Sequence, residues 1–167
     1  MKHTIPLDKN VFSQFLLAGM AEFTIVSIET GRRYSFKAIK CPQEKSTIPE
    51  PPIWVHMYVS KVSGTGRVAL FMGTIFKDND GLIYVHGRRR KHYEKRQGIQ
   101  AFKWVFKHRD NVPETVEIYH VGKCSSCGKK LTTPTSIKNG LGPVCLKKIQ
   151  TTEASWAIYD KHLTEET

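Results

Sequence analysis

Apolar and polar residues alternate with a period of two along most of the first 86 positions, and the run is framed by two stretches of helical period. Between 8 and 19, Val11, Phe12, Phe15, Leu16 and Leu17 recur at helical spacing, with Asp8 placed to cap the helix and Gly19 to stop it. AEFTIVSIET then puts Ala21, Phe23 and Ile25 on one side. Gly31 marks a turn, and RRYSFKAIK returns with Tyr34, Phe36 and Ala38 on one face, which predicts a β-hairpin. Residues 41–52 hold four prolines and read as a loop. A strand over 53–62, a turn at 63–66, a returning strand over 67–76, a turn at 78–81 and a short strand over 82–86 follow.

The pattern changes after His86. Ile99, Phe102, Trp104, Val105 and Phe106 mark an amphipathic helix, and 115–120 alternates as a strand with Val116, Ile118 and His120 on one side. A last amphipathic helix is predicted over 152–163, using Ala154, Trp156, Ile158 or Tyr159, and Leu163. Trp54, Trp104 and Trp156 stand at periodic positions and are expected in the core. These elements predict an α+β fold: an antiparallel β-meander with flanking helices, followed by a C-terminal metal module. Three parts are expected: a sheet domain over 1–114, a zinc-binding module over 115–150, and a helix with an acidic tail over 151–167.

Charge sharpens this picture. The chain has 167 residues with 26 Lys and Arg against 15 Asp and Glu, a net +11. Residues 81–110 carry +7 and 111–150 carry +4, whereas 151–167 carry −3. A positive field of this kind attracts nucleic acid, an acidic protein face or an anionic surface. No apolar run approaches the ~18 residues of a membrane span, and the start MKHTIPLDKN lacks an apolar leader core, so a cytoplasmic protein without a membrane partner is expected.

The most specific chemistry lies near the C-terminus. His120, Cys124, Cys127 and Cys145 read H-x3-C-x2-C-G-K and then G-P-V-C. A C-x2-C pair followed by Gly makes a tight knuckle that aims two sulfurs at one point, and Pro143 opens a helix that carries the third. The arrangement resembles a treble clef, and one structural Zn²⁺ is expected. Of the candidates for the fourth position, His120 is favoured over Cys41 or solvent, because it ends a strand just before the knuckle. Three thiolates weaken an ion's power to acidify water, and no Glu stands between Cys124 and Cys145. No catalytic residue is assigned and a non-enzymatic role is expected.

The stretch C-x2-C-G-K-x-L followed by S-I-x-x-G-x-G-P-x-C resembles a small zinc-binding family of uncharacterised function that is common in bacteriophage and prophage proteins. FLLAGMAEFTIVSIETGRRYSFK is similar to the start of phage accessory proteins that carry the same tail. The resemblance implies phage origin, hence a host-cell cytoplasm, and zinc binding. It implies no biochemical activity.

The second informative run is GRRRKHYEKRQG. Arg88, Arg89, Arg90, Lys91, Lys95 and Arg96 place six cations there, with His92 and Tyr93 between them and His86 just ahead. Converging cations with interleaved rings suit a phosphate backbone and unpaired bases. Lys129, Lys130, Lys147 and Lys148 of the zinc segment are expected to assist. The function expected is binding of DNA or RNA with low sequence specificity. The alternative is a phage-encoded inhibitor that grips a host defence or replication protein through the same cationic surface.

Overall fold

Phe23 and Phe36 face each other across a strand pair. The computed structural model, which describes residues 2–78 and 81–151, builds a seven-stranded sheet around that pair. The strands are β1 (Ile5–Pro6), β2 (Met20–Ser27), β3 (Arg33–Lys40), β4 (Ile53–Ser60), β5 (Arg67–Asp78), β6 (Gly81–His86) and β7 (Val116–His120). Every pairing is antiparallel, in the order β1-β7-β2-β3-β4-β5-β6. β2 to β6 form the meander read from the alternation, and the α+β class holds.

Two features depart from the reading. β1 was not foreseen, since two residues carry no period. β7 does not stand apart from the sheet: it lies between β1 and β2, with His120 opposite both Ile5 and Phe23. A division at 114/115 therefore falls at the entrance to a strand of the main sheet. The turn expected at 78–81 includes Asn79 and Asp80, and the helix expected over 152–163 follows Thr151. Both lie outside the described residues.

Strand alternation sorts the two faces of the sheet. Ala21, Phe23, Phe36, Ala38, Val55 and Met57 point inward and are buried. Two helices cover them: α1 (Phe12–Leu17), entered through a 3-10 turn whose cap Asp8 accepts from the Asn10 N–H at 3.0 Å, and α2 (Gln97–Lys107). A run of aromatic contacts ties both helices to the sheet. Phe12 and Phe15 meet Phe23 at 5.6 and 6.2 Å, Phe23 meets Phe36 at 5.7 Å, and Phe36 meets Phe102 at 5.2 Å between ring centres. Trp54 and Trp104 are not core residues, contrary to expectation. Trp54 alternates with the buried Ile53 and Val55 and so faces out, half-exposed. Trp104 falls off the buried stripe of Ile99, Phe102, Val105 and Phe106, and its ring lies against His108.

Among the described residues, no helix packs on the outward face of β2 to β5. There the N-terminal segment crosses the strands and buries His3. His3 Nδ1 lies 2.7 Å from the Thr24 hydroxyl, which lies 2.7 Å from the Ser35 hydroxyl. The other edge of the ring approaches Glu22 at 3.8 Å, and Tyr58 donates to the same carboxylate at 3.2 Å. The sequence gives no local sign of this cluster, because His3 lies far along the chain from its partners.

Two outcomes are expected. Phe23→Ala removes the ring that joins both helices and should cost about 3–5 kcal/mol in urea unfolding at constant m-value. The His3 ring, helped by Lys37 and Tyr58, holds the Glu22 carboxyl below its ordinary 4.5 against the effect of burial. A depressed carboxyl stabilises the fold above pH 4.5 and loses that contribution as pH falls below it. Glu22→Gln should therefore flatten the acid limb of the stability–pH curve.

Candidate metal centre and basic turn

The segment after β7 folds back at Gly122, whose φ of 83° suits glycine. Lys123 bridges to Lys130, and the Cys124 N–H donates to the Lys129 carbonyl at 2.8 Å, which closes the knuckle. Gly128, at φ 76°, turns the chain as the sequence required. α3 (Pro134–Asn139) is capped by the Thr133 hydroxyl, which accepts from the Ser136 N–H, and ends on Gly140 at φ 63°. The chain is helical again over 143–151, which sets Cys145 in its first turn.

These turns bring Cys124, Cys127 and Cys145 together, with all three sulfurs within 4.8 Å of one another. Thiolates bound tetrahedrally at the usual ~2.3 Å would lie about 3.8 Å apart, so the three are close to a ligand set before any ion is present. Cys124 is buried, Cys145 partly covered and Cys127 exposed. Burial pushes the Cys124 thiol up, yet backbone N–H groups of Gly142, Cys127 and Ser126 outweigh it and hold the group below its ordinary range. The Gly142 contact is 3.3 Å. Burial raises the Cys145 thiol, and the sulfurs of Cys124 and Cys127 add to the effect against Ser126. Three sulfurs this close resist sharing negative charge, and a soft cation removes that conflict. The cluster can hold a metal ion.

His120 is not in that cluster, contrary to the expected ligand set. Its Nε2–H donates to the Ile137 carbonyl at 2.7 Å, and its Nδ1 accepts from the Gly122 N–H at 3.0 Å. The ring is 1% exposed, lies against Phe15, and is held neutral by burial. Both nitrogens are spent on backbone, so the ring ties the end of β7 to α3. Cys41 is also elsewhere: it is buried beside the proline-rich loop, with its thiol on the Pro42 carbonyl at 3.5 Å. Among the described residues, no His, Asp or Glu joins the three sulfurs.

The basic run is a 3-10 turn over Arg88–Tyr93, not an open loop. His86 pins it: Nε2 donates to the Arg90 carbonyl at 2.7 Å, while Nδ1 faces the Tyr84 hydroxyl at 3.1 Å. Both nitrogens of that half-buried ring are therefore committed to the fold. Arg88, Arg89, Lys91, His92, Lys95 and Arg96 are exposed, and Arg90 and Tyr93 are half-buried. Tyr93 sits between the His92 ring, 4.3 Å away, and the Arg96 guanidinium, 4.9 Å from its centre. His86, Gly87, Arg88, Lys91 and Glu94 line a cleft, where Glu94 is already paired with Lys103 at 2.8 Å. Lys129, Lys130, Lys147 and Lys148 are exposed around the metal segment. No helix among the described residues is long and apolar enough to cross a membrane.

Substitution separates the two roles at the metal segment. Cys124→Ser should abolish bound metal, measured by elemental analysis of purified protein. His120→Ala should leave the metal content per chain unchanged, yet leave buried backbone groups unpaired and lower the melting temperature by roughly 3–10 °C. Loss of metal in His120→Ala would make the imidazole a ligand after all.

Residues 115–150 match a family described as of unknown function (DUF6011), a stretch that spans β7, all three clustered cysteines and α3. No curated protein and no solved structure matches the chain.

Proposed function

We propose that this chain is a non-enzymatic nucleic-acid-binding protein of low sequence specificity, stabilised by one structural Zn²⁺ and of the phage accessory type that its two ends resemble. The observation that carries the reading is the basic turn. Four cations stand on a short, pinned 3-10 turn with Lys95 and Arg96 just beyond it, and of the acidic groups nearby Glu94 is committed to Lys103. Cations held this way meet a phosphate backbone with little ordering cost and without burial. Zinc is the ion favoured by a set of clustered thiolates in a knuckle, and the charge those sulfurs donate makes it a poor generator of hydroxide. The metal's part is to order the C-terminal third, including Lys129 and Lys130.

The test is a binding titration with single-stranded DNA, duplex DNA and RNA across salt concentrations. Affinity should fall steeply with salt, at about 0.7–0.9 in the log–log slope for each phosphate neutralised. Reversing Arg88, Arg89 and Arg90 to Glu should weaken binding at least tenfold and reduce that slope by about 2–3. Unchanged binding in that variant, or no binding at low salt by the parent, would remove the basis of the reading.

A further inference from the structure

The face of the sheet that no helix covers among the described residues joins the two cationic elements. Gly87, which opens the basic turn, approaches Phe71 so closely that a Cβ there would lie 3.1 Å from the Phe71 ring. Gly128, which closes the knuckle, approaches the Met20 side chain, where a Cβ would lie 3.3 Å from its terminal methyl. Phe71 and Met20 both point outward, away from α1 and α2, by the strand register that buries Phe23, Val55 and Met57. One row of outward residues runs Glu22–Lys37–His56–Phe71 and the adjacent row runs Met20–Ile39–Trp54–Thr74–Val85. From β2 to β5 is three strand spacings, about 14 Å.

This face is open and ring-bearing. Met20 is 52% exposed and Phe71 39%, Trp54 is half-exposed, and the His56 ring meets Phe71 edge-on at 5.8 Å. Tyr58 is not part of the open area, since His3 lies against its ring and Glu22 takes its hydroxyl. Arg88 lies at one end of the face and Lys129 at the other, and between them Lys37 stands 3.8 Å from the Glu22 carboxylate. Two copies packed by this surface would oppose like charges at both ends, whereas a polyanion meets attraction at both ends. A duplex hides the flat sides of its bases, so exposed rings on a sheet favour an unpaired strand.

We propose that a single-stranded nucleic acid lies across this face, from the Gly87–Arg88 turn to the cysteine knuckle, with bases stacked on Phe71 and Trp54 and phosphates near Arg88, Lys37 and Lys129. The proposal rests on the nucleic-acid reading above and adds the surface and the strandedness. The test uses the full chain with its metal bound, and fluorescein-labelled oligothymidine, oligouridine and a mixed-sequence duplex of equal length. Both single strands should bind more tightly than the duplex. Phe71→Ala and Trp54→Ala should each weaken single-strand binding by roughly 5- to 100-fold, while Trp54→Phe keeps most of it. These variants should leave the salt slope unchanged, unlike reversal of Arg88, Arg89 and Arg90.

Photo-cross-linking of a 5-bromouracil oligonucleotide to the parent protein gives a readout that needs no variant to fold. Adducts on the β4 and β5 peptides that hold Trp54 and Phe71 support the proposal, and adducts confined to 88–96 overturn it. Equal affinity for duplex and single strands, or full affinity in both alanine variants, overturns the proposal while leaving general nucleic-acid binding standing. No binding of any probe at low salt fells both. A dimer in sedimentation that Phe71→Lys dissociates assigns the face to a second copy and overturns the proposal.

Discussion

The placement of β7 between β1 and β2 is the constraint from which the C-terminal third takes its position. A strand paired on both sides cannot slide without losing two ladders and turning Val116, Ile118 and His120 to the wrong face. Gly122 follows at once, so the knuckle leaves the sheet at a fixed point and in a fixed direction. The Met20 N–H donates to the Ser125 carbonyl and the Asp8 N–H to the Lys138 carbonyl, both short bonds from the N-terminal region to the cysteine segment. The spacing of the three sulfurs is thus inherited from the sheet as much as from the local turns.

Histidine serves this chain as an internal bracket. His86 and His120 each end a strand, and each spends Nε2 on a backbone carbonyl of the chain that follows, Arg90 within the 3-10 turn and Ile137 in α3. In both cases the imidazole replaces a hydrogen bond that the irregular chain could not make for itself. The same residue type, read from spacing alone, looks like a metal ligand beside a C-x2-C pair and like a stacking platform beside an arginine run. What decides the ligand reading is where the second nitrogen points, and that depends on segments brought close by the fold.

Much of the fold was legible because its signals are local. Period-two runs with Gly31 and the Gly64–Gly66 turn between them gave the meander, and Gly128 and Pro143 declared the turns around the thiols. β1 was not legible, being two residues long and defined only by its partner. The half-exposed Trp54 was misread because a large aromatic at a periodic position satisfies the core pattern on either face of a strand. The His3–Glu22–Thr24–Ser35 cluster was invisible for a different reason: it joins His3, near the N-terminus, with two strands that the local pattern cannot align with it. At the metal centre, the three cysteines followed from their spacing, while His120 needed the position of Ile137 to be understood.

The strand order also settles what the sheet shows to its neighbours at its two rims. On one side the outermost strand is Ile5–Pro6, and proline has no hydrogen to offer a further ladder. On the other side the outermost strand is β6, whose chain runs straight into the arginines of the 3-10 turn. A stray strand from another molecule would find a truncated template at the first rim and a cluster of positive charge beside the second. The residues read for ligand recognition therefore also discourage edge-to-edge aggregation.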